Sequence, residues 1–485
     1  MGELKVITSN TTKQTASPVS EIFDEALIKR YDKSGPRYTS YPTAVQFHEQ
    51  FTRDDYRHFC EKSNLISQKS AQPTPLSLYF HIPFCNTVCF YCGCNKVVTK
   101  DRSKAAPYLS RVHKEIEMQA ALFDKNRMVD QLHWGGGTPT FISHAEMQKL
   151  MDVTRQHFNL HEDDSGEYSI ELDPREVDEK SIKLLRDLGF NRISLGVQDF
   201  DPKVQKAVNR IQSEAETLDV INAARENKFK SISLDLIYGL PFQTVERFTS
   251  TLEKVIHASP DRLSIFNYAH LPEMFKPQRR INTEDLPSAA MKLEIMKASY
   301  QIMLDAGYVY IGMDHFAKPT DELAIAQKNG SLYRNFQGYS THAECDLVAM
   351  GITSIGQVAN SYSQNVKTID QYCEAIDAGE LPIFKGLELS FDDRIRRDVI
   401  TQLISHFSLA FSSIEDKYSI NFRDYFAIEI NNLSQMIDDD LVKVTSEEIE
   451  VMSKGKLLIR NICMVFDAYL QTDKHELKNK FSKTI

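Results

Sequence analysis

From residue 76 onward the chain repeats one pattern: a short run of β-branched and apolar residues, then a longer amphipathic stretch. Strands are expected at 77–82, 131–134, 168–172, 192–197, 231–237 and 262–267. Helical patterns fill the gaps, among them 181–188, 215–225 and 246–256, with Gly189 and Pro241 where stops and turns belong. Such alternation predicts parallel βαβ units, and six are fewer than the eight that close a full barrel. The expectation is an open, three-quarter (β/α)6 barrel over 76–315. Chemistry in such folds gathers at the carboxyl ends of the strands. Polar residues stand there: Glu171 and Asp173, Gln198 and Asp199, Asp235, and the run Asn267 to His270. After about residue 316 the alternation stops. Residues 391–407 put Ile395, Val399, Ile400, Leu403, Ile404 and Phe407 on one helical face, 457–469 reads as another apolar-faced helix, and 442–444 as a short strand between them. A mainly helical C-terminal domain over 316–485, winged-helix-like in pattern, is expected, either to cover the open barrel or to serve only as a packing module.

Three cysteines, Cys85, Cys89 and Cys92, follow the first strand in a C-x3-C-x2-C array. Three thiolates on one tight loop can hold three irons of a [4Fe–4S] cluster and leave the fourth iron open to another ligand. Cys94 leaves a four-cysteine zinc site formally open, although zinc sites usually join two separated pairs. Eight cysteines in 485 residues do not make a disulfide framework. Downstream, Gly135, Gly136 and Gly137 precede Thr138, and a glycine run behind a strand exposes backbone N–H and C=O groups at close range.

The remaining composition narrows the partners. A net charge of −10 argues against non-specific binding to nucleic acid or anionic membrane. No apolar stretch approaches the roughly 20 residues of a membrane span. Residues 1–20 read as a disordered leader with no apolar signal region, and 21–75 as an N-terminal extension, so a cytoplasmic location is expected. Two basic clusters stand out against the acidic balance: Lys29, Arg30, Lys33 and Arg37, and Lys276, Arg279 and Arg280.

Laid end to end, SLYFHIPFCNTVCFYCGCNK, QLHWGGGTPT, SIELDPRE, GVQDF, LDLIYGLP, FNYAHLP, IGMDHFAKP and RNFQGY resemble the bacterial oxygen-independent coproporphyrinogen III oxidases of the radical S-adenosylmethionine (SAM) superfamily. The resemblance runs from about Ile28 to Tyr469. It includes GPRYTSYPTA before the barrel, CGCNK after the cluster cysteines and KGKLLIRNICMVFDAYL near the end. It implies that Cys85, Cys89 and Cys92 bind a [4Fe–4S] cluster, with Cys94 not a standard ligand. Tyr91, Gly136, Gly137, Thr138, Gln198, Arg210, Asp235 and Ala269 would hold SAM, with Tyr79, Glu171 and Ile355 completing a pair of SAM sites. Tyr79 and Glu171 stand with the cysteines as the catalytic set. The implied reaction converts two propionates of coproporphyrinogen III to vinyls through a SAM-derived 5′-deoxyadenosyl radical, giving protoporphyrinogen IX in heme biosynthesis. A flavodoxin- or ferredoxin-type electron donor and a monomeric state go with it.

Residue chemistry fits those roles. Arginine offers a bidentate fork to a carboxylate, carboxylates accept from ribose hydroxyls or ammonium, and tyrosines present flat faces to adenine or sulfonium. A substrate with four carboxylates would give Arg30, Arg37, Arg279 and Arg280 a purpose. Two neighbouring families remain as alternatives. A heme chaperone keeps the cluster loop but lacks CGCNK and the GPRYTSYPTA segment, and a heme-opening radical SAM methyltransferase would make a methylated linear tetrapyrrole.

Overall fold

The computed structural model describes residues 19–472 together with Phe481 and Lys483. The expected leader therefore lies, through residue 18, outside the described residues, and Val19–Ile22 is a short helix. Six parallel strands follow in sequence: β1 (Leu76–Ile82), β2 (Met128–Gly136), β3 (Glu167–Leu172), β4 (Arg192–Gln198), β5 (Ser231–Tyr238) and β6 (Arg262–Asn267), each paired with the next. Helices Ala105–Ala120, His144–His157, Glu179–Asp187, Glu214–Glu226, Val245–Ala258 and Ala289–Asp305 come after them in turn. Local chemistry sets the starts of these helices. Ser143 with Glu146 and Ser213 with Glu216 form capping boxes, and Asp178 and Thr244 cap through their side chains. Gly189, at φ +101°, turns the chain out of its helix into β4 at an angle that a side chain would oppose.

The sheet continues beyond both ends of the six. Past β6 it adds β7 (Val309–Gly312) and β8 (His315–Ala317); past β1 it adds β9 (Asp346–Met350), β10 (Ile355–Val358), β11 (Ser361–Asn365) and β12 (Ile383–Glu388). The order is β7-β8-β6-β5-β4-β3-β2-β1-β9-β10-β11-β12, so β1 is interior. β9 joins β1 in parallel and the other additions are antiparallel. The mainly helical reading therefore fits the chain from residue 391 on and misses 346–388, where four strands extend the barrel sheet. Those strands are only four to six residues long, and SYSQN and IGQV carry little of the apolar alternation that marks a strand.

Strand alternation divides the sheet into two faces. Leu78, Phe80, Leu132, Trp134, Ile170, Leu195 and Leu234 are at most 1% exposed and form the apolar core beneath the helices. The other face is polar, and register lines its side chains into rows: Ser77, Gln131, Glu167; then Tyr79, His133, Ser169, Arg192; then Glu171, Ser194, Ser233, Arg262; then Asp235, Ser264, His315. A sheet with one apolar and one hydrophilic face has its core on one side and a lumen on the other.

Two tethers hold the flanking segments. Arg127, fully buried, donates to Asp346 Oδ2 at 2.5 Å, Ser63 Oγ at 3.0 Å and the Thr74 carbonyl at 2.7 Å, joining helix Arg53–Lys69 to β9. At the other end Arg460 donates to the carbonyls of Gly35 and Pro36, Asn461 to that of Tyr31, and Tyr38 to Asp467. The N-terminal GPRYTSYP stretch and the RNICMVFDAYL stretch thus pack as one unit. The C-terminal part has helix Phe391–His406, ended by Phe407 at φ 57°, and a small sheet of Ser408–Ala410, Glu448–Val451 and Val442–Val444. The expected helix over 457–469 is two, Ile459–Val465 and Ala468–Thr472, broken around Asp467. Among the described residues no helix is long and apolar enough to cross a membrane.

Candidate functional site

The cysteine loop leaves β1 and is closed at its base by a small parallel pair, Phe84–Cys85 with Val97–Val98. Gly137 N–H donates to the Ile82 carbonyl at 2.9 Å and Thr138 N–H to the Phe84 carbonyl at 2.8 Å, so the end of β2 closes on the strand carrying Cys85. A Cβ on Gly137 would stand 2.7 Å from the Pro83 and Phe84 carbonyl oxygens, which is why this position takes glycine. Thr138 Oγ1 donates to Cys85 Sγ at 3.7 Å and Arg210 Nη1 to Cys89 Sγ at 3.6 Å. The loop after β4 holds the far side: Phe90 N–H reaches the Val208 carbonyl, and Asn209 Nδ2 the Val88 carbonyl at 2.8 Å. Gln278 Nε2 donates to the Tyr91 carbonyl at 3.0 Å, and the Tyr91 ring packs on a patch containing Val204, Val208, Leu240 and Tyr268.

The three cysteines are free and partly buried. Zn–S bonds of about 2.3 Å in a tetrahedron place sulfurs roughly 3.8 Å apart. Among the described residues the only group of three donors within 4.8 Å of one another is His342, Glu344 and Cys345, so Cys85, Cys89 and Cys92 are too spread for one zinc ion. Three free thiols on one loop are the donor set that could meet three different irons of a cluster.

Glu171 is the hub of the lumen. Its carboxylate meets His133 Nε2 at 3.3 Å and the Gly136 N–H at 3.2 Å. The side chain is 48% accessible, but that surface opens onto the polar face of the sheet, so burial within the protein still opposes its charge. Hydrogen bonding and charge from His133, with the Gly136 N–H, outweigh burial and hold it below the usual carboxylate range. Tyr79 stacks on His133 with centroids 5.8 Å apart, and its hydroxyl lies 3.1 Å from His81 Nδ1. Burial keeps the Tyr79 phenol protonated and His81 neutral.

Across the lumen Asp235 accepts from Ser194 Oγ at 3.0 Å. Burial pushes its pKa up to about 6 against that bond and one from Ser264, with the Glu171 charge adding to the rise. Arg210 pairs with Asp173 at 3.0 Å and donates to the Gly196 carbonyl, while its buried Nε has no partner. Asp173 also holds Arg175 at 2.6 Å. Gln198, at φ 69°, sits on a bulge in β4 that aims it back beside Gly196, where an added Cβ would meet Gln198 Nε2 at 2.8 Å.

The site residues expected from sequence fall into groups. Cys85, Cys89, Cys92, Tyr91, Thr138 and Arg210 meet around the cysteine loop. Tyr79, Gly136 and Glu171 meet on β1–β3, Gln198 and Asp235 lie on β4 and β5, and Ala269 is exposed just past β6. Ile355 stands apart: the Leu347–Gln357 register puts it across from Ala349, two strands from Tyr79 in the same row. Of the basic groups, Arg30 pairs with Asp439 at the surface, Arg279 donates to the Pro272 carbonyl, Arg280 lies over Phe90, and only Arg37 turns inward, to Asp314. Sequence reading missed His81, His133 and Ser194 as partners, and named Asp173 at a strand end without its pairing to Arg210. Their polar, every-second-residue spacing on otherwise apolar strands was the available signal.

An open parallel sheet with a polar inner face and a three-cysteine loop at the end of its first strand defines a radical SAM enzyme, and the Radical SAM superfamily model matches residues 79–255. Relatives extend the likeness over nearly the whole chain. The oxygen-independent coproporphyrinogen III oxidase of Pseudomonas aeruginosa is 53% identical over 96% of this chain and 99% of its own length, and that of Escherichia coli is 48% identical over 93% and 96%. The solved structure of the Escherichia coli coproporphyrinogen III oxidase, described as a radical SAM enzyme, superposes with a TM-score of 0.87 at 46% identity, covering 92% of this chain and 99% of that one. The chain belongs to the oxygen-independent coproporphyrinogen III oxidase family.

Proposed function

We propose that Cys85, Cys89 and Cys92 hold the [4Fe–4S] cluster of this radical SAM family and that the lumen beside them holds two SAM molecules. The chain's activity is that of its family, the oxygen-independent oxidative decarboxylation of coproporphyrinogen III in heme biosynthesis. The observation that carries the reading is the juxtaposition of the three-cysteine loop with a polar lumen whose donors and acceptors are only partly used. When bound, cluster and SAM supply a reductively generated 5′-deoxyadenosyl radical that removes a hydrogen atom from a substrate propionate.

This chain's residues bind, orient and exclude water. Gly136 and Gly137 let backbone approach the ligand, and Thr138 braces Cys85. Glu171, kept ionised by His133 and the Gly136 N–H, accepts from a SAM ammonium or ribose hydroxyl. Arg210 gives two of its nitrogens to Asp173, Cys89 and the Gly196 carbonyl, so its unpartnered Nε is what remains for SAM. Asp235 and Gln198 with Ala269 frame the second SAM, and Tyr79, Tyr91 and Ile355 offer ring and aliphatic surface. A one-electron donor of flavodoxin or ferredoxin type, a cytoplasmic location and a monomeric state complete the proposal. The test supplies the reconstituted enzyme, without oxygen, with SAM, reductant and either coproporphyrinogen III or heme. Vinyl product from the first alone supports the reading; a stable heme complex without SAM cleavage, or a methylated linear tetrapyrrole, overturns it.

A further inference from the structure

Beside the lumen, between the β8 and β10 sides of the sheet, lies a pocket lined by Tyr38, Tyr333, Arg334, Gln357, Tyr362 and Arg397, among others. Arg334 is only 6% exposed, yet its Nε and Nη1 have no hydrogen-bond partner; its guanidinium lies over the Tyr339 ring at 4.8 Å. Arg397, partly buried and hydrogen-bonded to Tyr362, also leaves Nε and Nη1 without a hydrogen-bond partner. The nearest carboxylate to Arg397, Asp398 at 3.7 Å, already pairs with Lys417 at 2.6 Å. Charge is unbalanced around them. Arg37, Arg334 and Arg460 act on one another electrostatically, and Asp314, which pairs with Arg37, is the carboxylate that acts on both buried members. Arg460 is satisfied by the carbonyls of Gly35, Pro36 and Lys483, none of which carries charge.

A buried guanidinium with open N–H groups is destabilising until an anion arrives. The buried Arg334 and the partly buried Arg397, both lining one pocket, offer open N–H groups to a carboxylate, a ligand that arginine meets better than lysine. The pocket also adjoins the reaction space. His315, whose ring lies 5.2 Å from that of Tyr339, ends the Asp235 row, and Gln357 lies one residue pair from the Tyr79, Ala349 and Ile355 row. We propose that Arg334 and Arg397 anchor a propionate carboxylate of the tetrapyrrole substrate. The assignment rests on the substrate reading above. The methionyl carboxylate of SAM is the other source of the same chemistry, and the test separates the two.

The experiment uses the anaerobically reconstituted full chain, its Arg334→Met variant and its Arg397→Gln variant. Three readouts are taken: coproporphyrin III affinity by fluorescence anisotropy, SAM affinity by equilibrium dialysis, and the melting temperature without ligand. The expected result is at least a tenfold weaker porphyrin affinity in each variant, unchanged SAM affinity, and a ligand-free Arg334→Met protein no less stable than wild type. Weakened SAM binding with intact porphyrin binding would assign the arginines to SAM and overturn the proposal. Unchanged porphyrin affinity in both variants would do the same, as would an Arg334→Met chain that melts lower or does not fold, because that marks a structural arginine. Wild-type enzyme that turns over coproporphyrinogen III while the variants bind porphyrin normally leaves the activity standing and removes only this site. Wild type that neither binds the porphyrin nor turns over the substrate removes both.

Discussion

Two glycines two residues apart should respond to the same substitution in different ways. A Cβ on Gly135 would stand 3.0 Å from Cδ and Oε1 of Glu171, atoms at the far end of a mobile side chain. Gly135→Ala therefore displaces the carboxylate by a few tenths of an ångström, away from His133 Nε2 at 3.3 Å or the Gly136 N–H at 3.2 Å. A hydrogen bond to a charged group is worth about 1.5–3 kcal/mol. At about 1.4 kcal/mol per tenfold, losing one weakens SAM binding by about ten- to a hundredfold. The cysteine loop is untouched, so cluster content stays at the wild-type level. Gly137→Ala instead drives a Cβ to 2.7 Å from the Pro83 and Phe84 carbonyl oxygens, which are backbone and cannot yield without moving Cys85. It should lose the cluster itself. Iron and sulfide analysis with SAM equilibrium dialysis reads both effects. Normal SAM affinity in a folded Gly135→Ala protein, or full cluster loading in Gly137→Ala, would refute the geometry from which the site is argued.

Other consequences can be checked beside it. Cys85→Ser, Cys89→Ser and Cys92→Ser should each abolish the cluster absorbance and SAM cleavage, whereas Cys94→Ser should leave the cluster formed, all visible in one set of absorption spectra. Asp235 has its pKa raised from 3.8 to about 6 in the folded chain, so the native state holds its proton more tightly than the unfolded state. Stability then falls as pH rises from about 4 to about 6 and the penalty is full above that, on the order of 2–3 kcal/mol. Ligand-free Asp235→Asn should accordingly melt higher than wild type at pH 8 and match it near pH 4, while binding SAM more weakly; a variant less stable at pH 8 would contradict the burial argument.

Much of the barrel is legible in the sequence because each strand carries its own signal. Strand 262–267 is found at its expected bounds, four others extend by one residue each, and β2 extends by five, three before its expected start and two, Gly135 and Gly136, after its expected end. The strands after residue 345 are hidden for the opposite reason. β10 and β11 gain their place from pairing with β9, a non-local contact that the short polar runs IGQV and SYSQN do not announce. The cysteine array and the glycine run could be read directly, since their spacing is local. The pairings that tune them could not. Arg210 with Asp173 joins residues 37 positions apart through the loops that follow β4 and β3, and His133 with Glu171 joins residues 38 apart through strand register. Arg334 and Arg397 were invisible because their meaning lies in what they fail to contact.

The most direct test of the central claim is a count. Reconstituted enzyme is incubated without oxygen with SAM, a one-electron reductant, coproporphyrinogen III and an electron acceptor, and carbon dioxide, 5′-deoxyadenosine and protoporphyrinogen IX are measured together. Two carbon dioxide molecules are expected per protoporphyrinogen IX, with 5′-deoxyadenosine formed in step. Deoxyadenosine without carbon dioxide, or no SAM cleavage by a fully loaded cluster, would contradict that claim.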